Sequence, residues 1–189
     1  MEIRLNTPLT PEAVKTLKPG DTVYLTGVLY AARDAAHKKL MELLDAGQPL
    51  PFDLKGAVIY YVGPSPTKEG EVIGSAGPTT SSRMDAYTPR LLELGLKGMV
   101  GKGRRSEAVK KSMVEQGAVY FAAIGGAGAL IKETILAQEV VAYPELGPEA
   151  VRKLEVKDFP VTVIIDSEGQ DLYELGREAY LAWKAENED

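Results

Sequence analysis

Apolar residues in this chain fall into two alternating kinds of stretch: short β-rich or continuous runs, and longer segments spaced at helical intervals. Thr10-Pro11-Glu12 opens a short helix, with threonine at the N-cap and proline where a missing N–H costs nothing, and Lys18-Pro19-Gly20 closes it. Val23, Leu25 and Val28 lie in a β-rich run, and Ala32, Ala36, Leu40, Leu43 and Leu44 follow at helical spacing until Gly47. Residues 48–55, with Pro49 and Pro51, read as a loop before Ala57-Val58-Ile59-Tyr60-Tyr61-Val62, whose continuous apolar character predicts a buried strand. Four glycines and three prolines then crowd the stretch from Gly63 to Pro78. A connection of that length with no element of its own is uncommon in a compact domain unless it forms a site.

Beyond it, Thr79 to Tyr87 suits one helical piece, and Thr88-Pro89 caps a second that runs to Leu94. Gly98-Met99-Val100 predicts a strand, Ser106 caps a helix over Glu107 to Gln116, and Ala118 to Ile124 predicts another strand. A helix over Ala127 to Ile135 then leads to Glu139-Val140-Val141-Ala142. Leu154-Glu155-Val156 and Val161 to Ile165 are expected as two strands separated by Asp158-Phe159-Pro160, with a closing helix over Leu172 to Lys184. This alternation predicts an α/β domain whose strands are parallel in part. No shift in composition divides the 189 residues, so a single domain over 1–189 is expected.

Composition then removes several kinds of chemistry. A net charge of −5 has the wrong sign for a phosphate backbone or an anionic bilayer, so neither nucleic acid nor membrane is expected as a partner. With no cysteine and one histidine, the chain offers no His/Cys zinc site, disulfide framework, cysteine nucleophile or self-ligated iron–sulfur cluster. Met1 to Asn6 lacks the basic-then-apolar pattern of a leader, and the long uncharged stretch that includes Gly117 to Ile131 is shorter than the ~20 residues that span a bilayer. A cytoplasmic location is expected.

Four segments carry candidate chemistry. Gly125-Gly126-Ala127-Gly128 partly matches a dinucleotide fingerprint, but Ile131 stands where its last glycine would, so a tight strand-to-helix turn is the simpler reading. Gly101-Lys102-Gly103 is not a phosphate loop, since glycine follows the lysine; its glycines would let backbone approach a ligand beside a lysine charge at a strand end. Arg33 and His37 share a helix face, where Arg33 either projects into a cleft or pairs at the surface, and His37 suits packing. In Gly77-Pro78-Thr79-Thr80-Ser81-Ser82-Arg83-Met84-Asp85, four consecutive hydroxyls enter a helix start one turn before an arginine, a plausible carboxylate cradle.

These segments together resemble the β-type portion of class I, iron–sulfur-dependent fumarate hydratases and the related L-tartrate dehydratases. The resemblance covers nearly the whole chain. It rests on Ala32-Arg33-Asp34-Ala35-Ala36-His37-Lys38, on Gly77 to Asp85, on Gly98-Met99-Val100-Gly101-Lys102-Gly103, and on Tyr143-Pro144-Glu145-Leu146-Gly147 leading to Glu155 to Pro160. It implies a swivelling β/β/α domain with a partly parallel central sheet, acting as the β subunit of a hydro-lyase that interconverts fumarate and L-malate. It also implies an α subunit holding a [4Fe–4S] cluster through three cysteines, and a higher oligomer of α/β pairs. By the same resemblance Arg33, Arg83 and Lys102 bind the dicarboxylate substrate, Thr79 transfers a proton beside an α-subunit aspartate, and no residue of this chain ligates metal. L-tartrate dehydration and non-catalytic dicarboxylate binding remain alternatives.

Overall fold

In the computed structural model, which describes residues 1–123 and 128–187, seven strands make one sheet. Strands β1 (Glu2–Asn6), β2 (Thr22–Ala31), β3 (Val58–Tyr60), β4 (Gly98–Gly101) and β5 (Val119–Ala123) run parallel, each paired with the next. Strand β7 (Val151–Ile165) runs antiparallel to β2, to β5 and to β6 (Ile135–Ala142). The pairings β2–β3–β4–β5–β7 therefore return to β2 and close a ring, with β1 and β6 added at its side. Closure gives every ring strand a neighbour on both sides, which is how barrels limit unpaired backbone.

Alternating side chains divide the core in two. Val58, Tyr60, Val100, Val119, Phe121, Leu154, Phe159, Val161 and Val163 form one apolar cluster together with Val23, Leu25 and Leu29. Their neighbours Ile59, Tyr61, Met99, Ala118, Tyr120 and Ile164 belong to a second, shared with the helices. Both faces of β3, β4 and β5 are thus buried, which explains why these strands read as continuous apolar runs.

The helices are α1 (Pro11–Lys15), α2 (Asp34–Asp45), α3 (Thr88–Glu93), α4 (Glu107–Gln116), α5 (Gly128–Glu133) and α6 (Leu172–Asn187). The expected caps are present: Thr10 Oγ1 accepts from Ala13 N at 3.2 Å, and Ser106 Oγ accepts from Val109 N at 3.3 Å. Helix α6 has no buried residue, and Leu175, Tyr180, Leu181 and Trp183 stand in solvent. Its start is tied to α4 through Lys110, whose ammonium lies 2.8 Å from Asp171 and also bonds Glu174.

Several expectations need correction. β1 was not anticipated; it is a five-residue strand in which only Ile3 and Leu5 pack on the core. Only Ser81–Met84 is helical between Thr79 and Tyr87, as a single 3-10 turn, and the next helix is capped from Tyr87 rather than Thr88. Thr88 turns its hydroxyl inward to the Met84 carbonyl at 2.9 Å. The helix expected to reach Ile135 stops at Glu133, and Ile135 already belongs to β6.

The two expected late strands are one. β7 passes through Pro160 because its ladder with β6 ends at Val156 and that with β5 begins at Val161, leaving a stretch where one edge needs no donor. Asp158 absorbs the bend with φ 52°, and its N–H bonds Thr26 Oγ1 at 3.0 Å while pairing with β2 continues. The Gly125-Gly126-Ala127 part of the glycine motif, and Ile124, lie outside the described residues.

Candidate functional site

Parallel strands bring their following loops to one end of a sheet, the usual place for ligand groups in α/β domains. Here Arg33 follows β2, Thr79 and Arg83 follow β3 after the loop of residues 63–78, and Lys102 follows β4. Backbone bonds hold these exits in step: Ala32 N to Tyr60 O at 3.1 Å, Thr79 N to Tyr61 O at 2.7 Å and Ser81 N to Lys102 O at 2.9 Å. Thr80 and Lys102 form a parallel bridge. The long loop is closed on itself by Ser65 N to Ser75 O at 2.9 Å and Ser75 N to Ser65 Oγ at 2.7 Å.

Arg33 and Arg83 are joined by a residue between them. Asp34 Oδ2 lies 3.3 Å from Arg33 Nε, and Asp34 Oδ1 accepts from Arg83 Nε at 2.8 Å. Glu149, at the end of the 3-10 turn Pro144–Glu149, lies 3.2 Å from Arg33 Nε and accepts from Ala35 N at 3.4 Å. Partial burial pushes the Asp34 carboxyl up, but its backbone hydrogen bond and the two guanidinium groups outweigh this and hold it below the usual carboxylate range. Arg33 is therefore in an ion pair, one of the two arrangements its sequence allowed, with its side chain 25% exposed against 51% for Arg83.

His37 is fully buried against Tyr61 and Tyr87. Its Nδ1 lies 2.8 Å from the Arg33 carbonyl, which can only accept, so Nδ1 carries the proton and Nε2 is left without a partner among the described residues. Burial pushes its pKa down to about 4; the Arg33 carbonyl opposes this and the nearby Arg105 charge adds to it. It is a neutral packing group that fixes the backbone bearing Arg33.

A layer beneath the site escaped sequence reading. Arg105, with a side chain 0% exposed, donates to Asp85 Oδ1 at 2.7 Å, Thr88 Oγ1 at 2.8 Å and Tyr61 Oη at 3.2 Å. Asp85 Oδ2 also accepts from Ser106 N at 2.8 Å. Tyr120 Oη lies 2.8 Å from both Ser81 Oγ and the Gly103 carbonyl, tying the turn that bears Arg83 to the one after Lys102. These partners lie far apart in sequence, and Arg104-Arg105 looks like surface charge; only the buried Tyr120 in an apolar strand hinted at a polar partner.

The hydroxyl cluster works differently from a helix cradle. Ser81 is buried on Tyr120, Thr79 is 9% exposed, and Thr80 and Ser82 face outward. A 3-10 turn of four residues has little dipole to offer an anion. The glycines around Lys102 also have other uses than ligand approach. A Cβ at Gly101 would come within 2.8 Å of the Tyr61 ring and closer still to Ser81 Oγ, and Gly103 turns with φ 81°. Lys102 itself is exposed, and no hydrogen bond reaches the Thr79 hydroxyl among the described residues.

The described residues contain no group of three or more His, Cys, Asp or Glu placed to hold a metal, and no helix long and apolar enough to cross a membrane. Residues 1–176 match the family described as Fumarase C-terminus. The chain is 43% identical over 180 residues to the "Putative L(+)-tartrate dehydratase subunit beta" of Methanocaldococcus jannaschii, covering 92% of each. It is 45% identical over 152 residues to "Fumarate hydratase class I, anaerobic" of Escherichia coli (strain K12), and 44% identical over 156 residues to "Fumarate hydratase 2" of Leishmania major. These two matches take in 79% and 82% of this chain, which spans only 28% of the length of either enzyme.

Proposed function

The chain belongs to the Fumarase C-terminus family, and from that premise we propose that it is the β subunit of a two-subunit iron–sulfur hydro-lyase that reversibly hydrates fumarate to L-malate. The whole of 1–189 acts as one β-type catalytic domain, and its five-strand ring with flanking helices supports the swivelling β/β/α architecture. The observation that carries the function is the rim itself: two arginines bridged by one acid, a lysine and a nearly buried threonine, all following parallel strands.

Arg33 and Arg83 bind the substrate carboxylates through their planar forks, and Lys102 adds a compact charge. Three cations facing a dianion also stabilise the negative charge that grows on the substrate carboxylate as the C–H proton leaves. Thr79 moves that proton. A threonine hydroxyl needs a base beside it, and since the described residues place no hydrogen-bonding group on it, the partner's aspartate fills that role.

The [4Fe–4S] cluster does not fit this chain, which has no cysteine; it belongs to an α subunit. The exposure of Lys102 and Arg83 supports a site completed by that partner; we further propose that the α/β pairs form a higher oligomer in the cytoplasm. L-tartrate dehydration is the second reading, favoured by the near full-length match to the M. jannaschii protein.

Anaerobic co-purification with a cysteine-bearing α subunit, followed by assays with fumarate and L-tartrate, tests both. Fumarate hydration by the mixture and by neither subunit alone is the expected result. Faster tartrate dehydration would select the second reading. Dicarboxylate binding by the isolated chain, with no complex formed, would favour a binding module.

A further inference from the structure

Two guanidinium groups that serve one small dianion must sit close together, and like charges at that separation repel. The structure resolves this with a single carboxylate: each oxygen of Asp34 takes the Nε of one arginine, Oδ1 with Arg83 at 2.8 Å and Oδ2 with Arg33 at 3.3 Å. Among the described residues, no hydrogen bond occupies an Nη of either arginine. The edge left open is the two-pronged one that matches a carboxylate. Arg33 has Glu149 as a second acid on its Nε, whereas Asp34 is the only acid paired with Arg83 among the described residues.

We propose that Asp34 is a positioning residue that holds Arg33 and Arg83 as a pair with their Nη edges presented to the dicarboxylate, and that it acts chiefly through Arg83. This inference rests on the hydro-lyase reading of the site. Asp34 is suited to the task because it is the first residue of α2, directly after Arg33, whose carbonyl is bonded by both His37 N at 2.9 Å and His37 Nδ1 at 2.8 Å. The carboxylate therefore stands on a fixed helix end, while Arg83 comes from a separate turn 49 residues later in the chain. Asp34 thus sets the distance between two carboxylate-binding groups that no local structure relates.

The test is D34N in the complex with the α subunit, with KM and kcat for fumarate, the inhibition constant of succinate and the thermal unfolding midpoint all measured. Asparagine keeps the shape but presents an amide N–H₂ to one of the two arginines, so the pair separates. KM and the succinate constant should each rise about tenfold, kcat should change less, and the midpoint should stay within about 2 °C, because half-exposed ion pairs add little stability. In an R83A background the same substitution should change KM less than threefold, since the partner it positions is gone. D34E, which keeps the charge on a longer arm, should fall between D34N and wild type and serves if D34N folds poorly.

A D34N complex with unchanged KM, or an equal effect of D34N with and without Arg83, would overturn the positioning role alone. A wild-type complex that turns over and binds no dicarboxylate would overturn the hydro-lyase reading, and this inference with it.

Discussion

Two buried side chains set the character of the site without facing it. His37 has its pKa held down to about 4 by burial, against 6.5 when unfolded. Between these values the unfolded chain binds a proton that the folded chain refuses, so stability is complete above pH 6.5 and falls as pH drops towards 4. The full loss amounts to about 3 kcal/mol. In urea unfolding at stepped pH, H37Q should lose less stability than wild type between pH 6.5 and 4.5; identical slopes would show that His37 protonates freely in the fold. Arg105 is the second. In R105M the half-buried Asp85 loses its cation, which should cost about 3–5 kcal/mol in the same experiment, whereas R104M, at an exposed neighbour, should change little.

At the level of elements, the sequence made strands and caps legible where one local rule was enough. Thr10, Ser106 and the apolar runs of β3 and β5 behaved as expected because a cap needs one hydroxyl and a doubly buried strand needs only apolar residues. What escaped depended on remote neighbours. Pro160 marks a break by local rules, yet β7 continues because β6 and β5 leave a gap opposite it. The proposed site residues, Arg33, Thr79, Arg83 and Lys102, rest on a resemblance of whole motifs; the acid between the arginines and the Arg105–Tyr120 layer appear only when β2, β3, β4 and β5 lie side by side.

The contact between β4 and the Ser81–Met84 turn has little slack. G101A would drive a methyl group into Ser81 Oγ and the Tyr61 ring, and overpacking of this kind costs about 1–3 kcal/mol. The turn that carries Arg83 is the softer side and should yield first. The variant should therefore fold, with a lowered unfolding midpoint and a KM for fumarate raised more than kcat is lowered; an unchanged KM would mean that the strand moves instead.

For the molecule as a whole, the closed ring and its covering helices account for both apolar clusters, and α6 takes no part in either beyond Leu172 and Tyr173. Trp183, the chain's single tryptophan, is 58% exposed and stacks on Tyr180. Its fluorescence should have the long-wavelength maximum of a hydrated indole and should shift little when the isolated chain is denatured. A strong red shift on denaturation would show instead that α6 is covered in solution.

The seam between β2 and β7 governs when this protein can exist at all. Thr22 lies opposite Thr162 and Ala31 opposite Arg152, so the longest ladder in the sheet joins segments separated by most of the chain. Pairings so distant are closed late and slowly. While a ribosome is still delivering residues up to Ala150, β2 has one edge open along its whole length, and nothing yet synthesised can fill it. The nascent chain spends that interval with a bare strand edge that another unfinished copy could pair with.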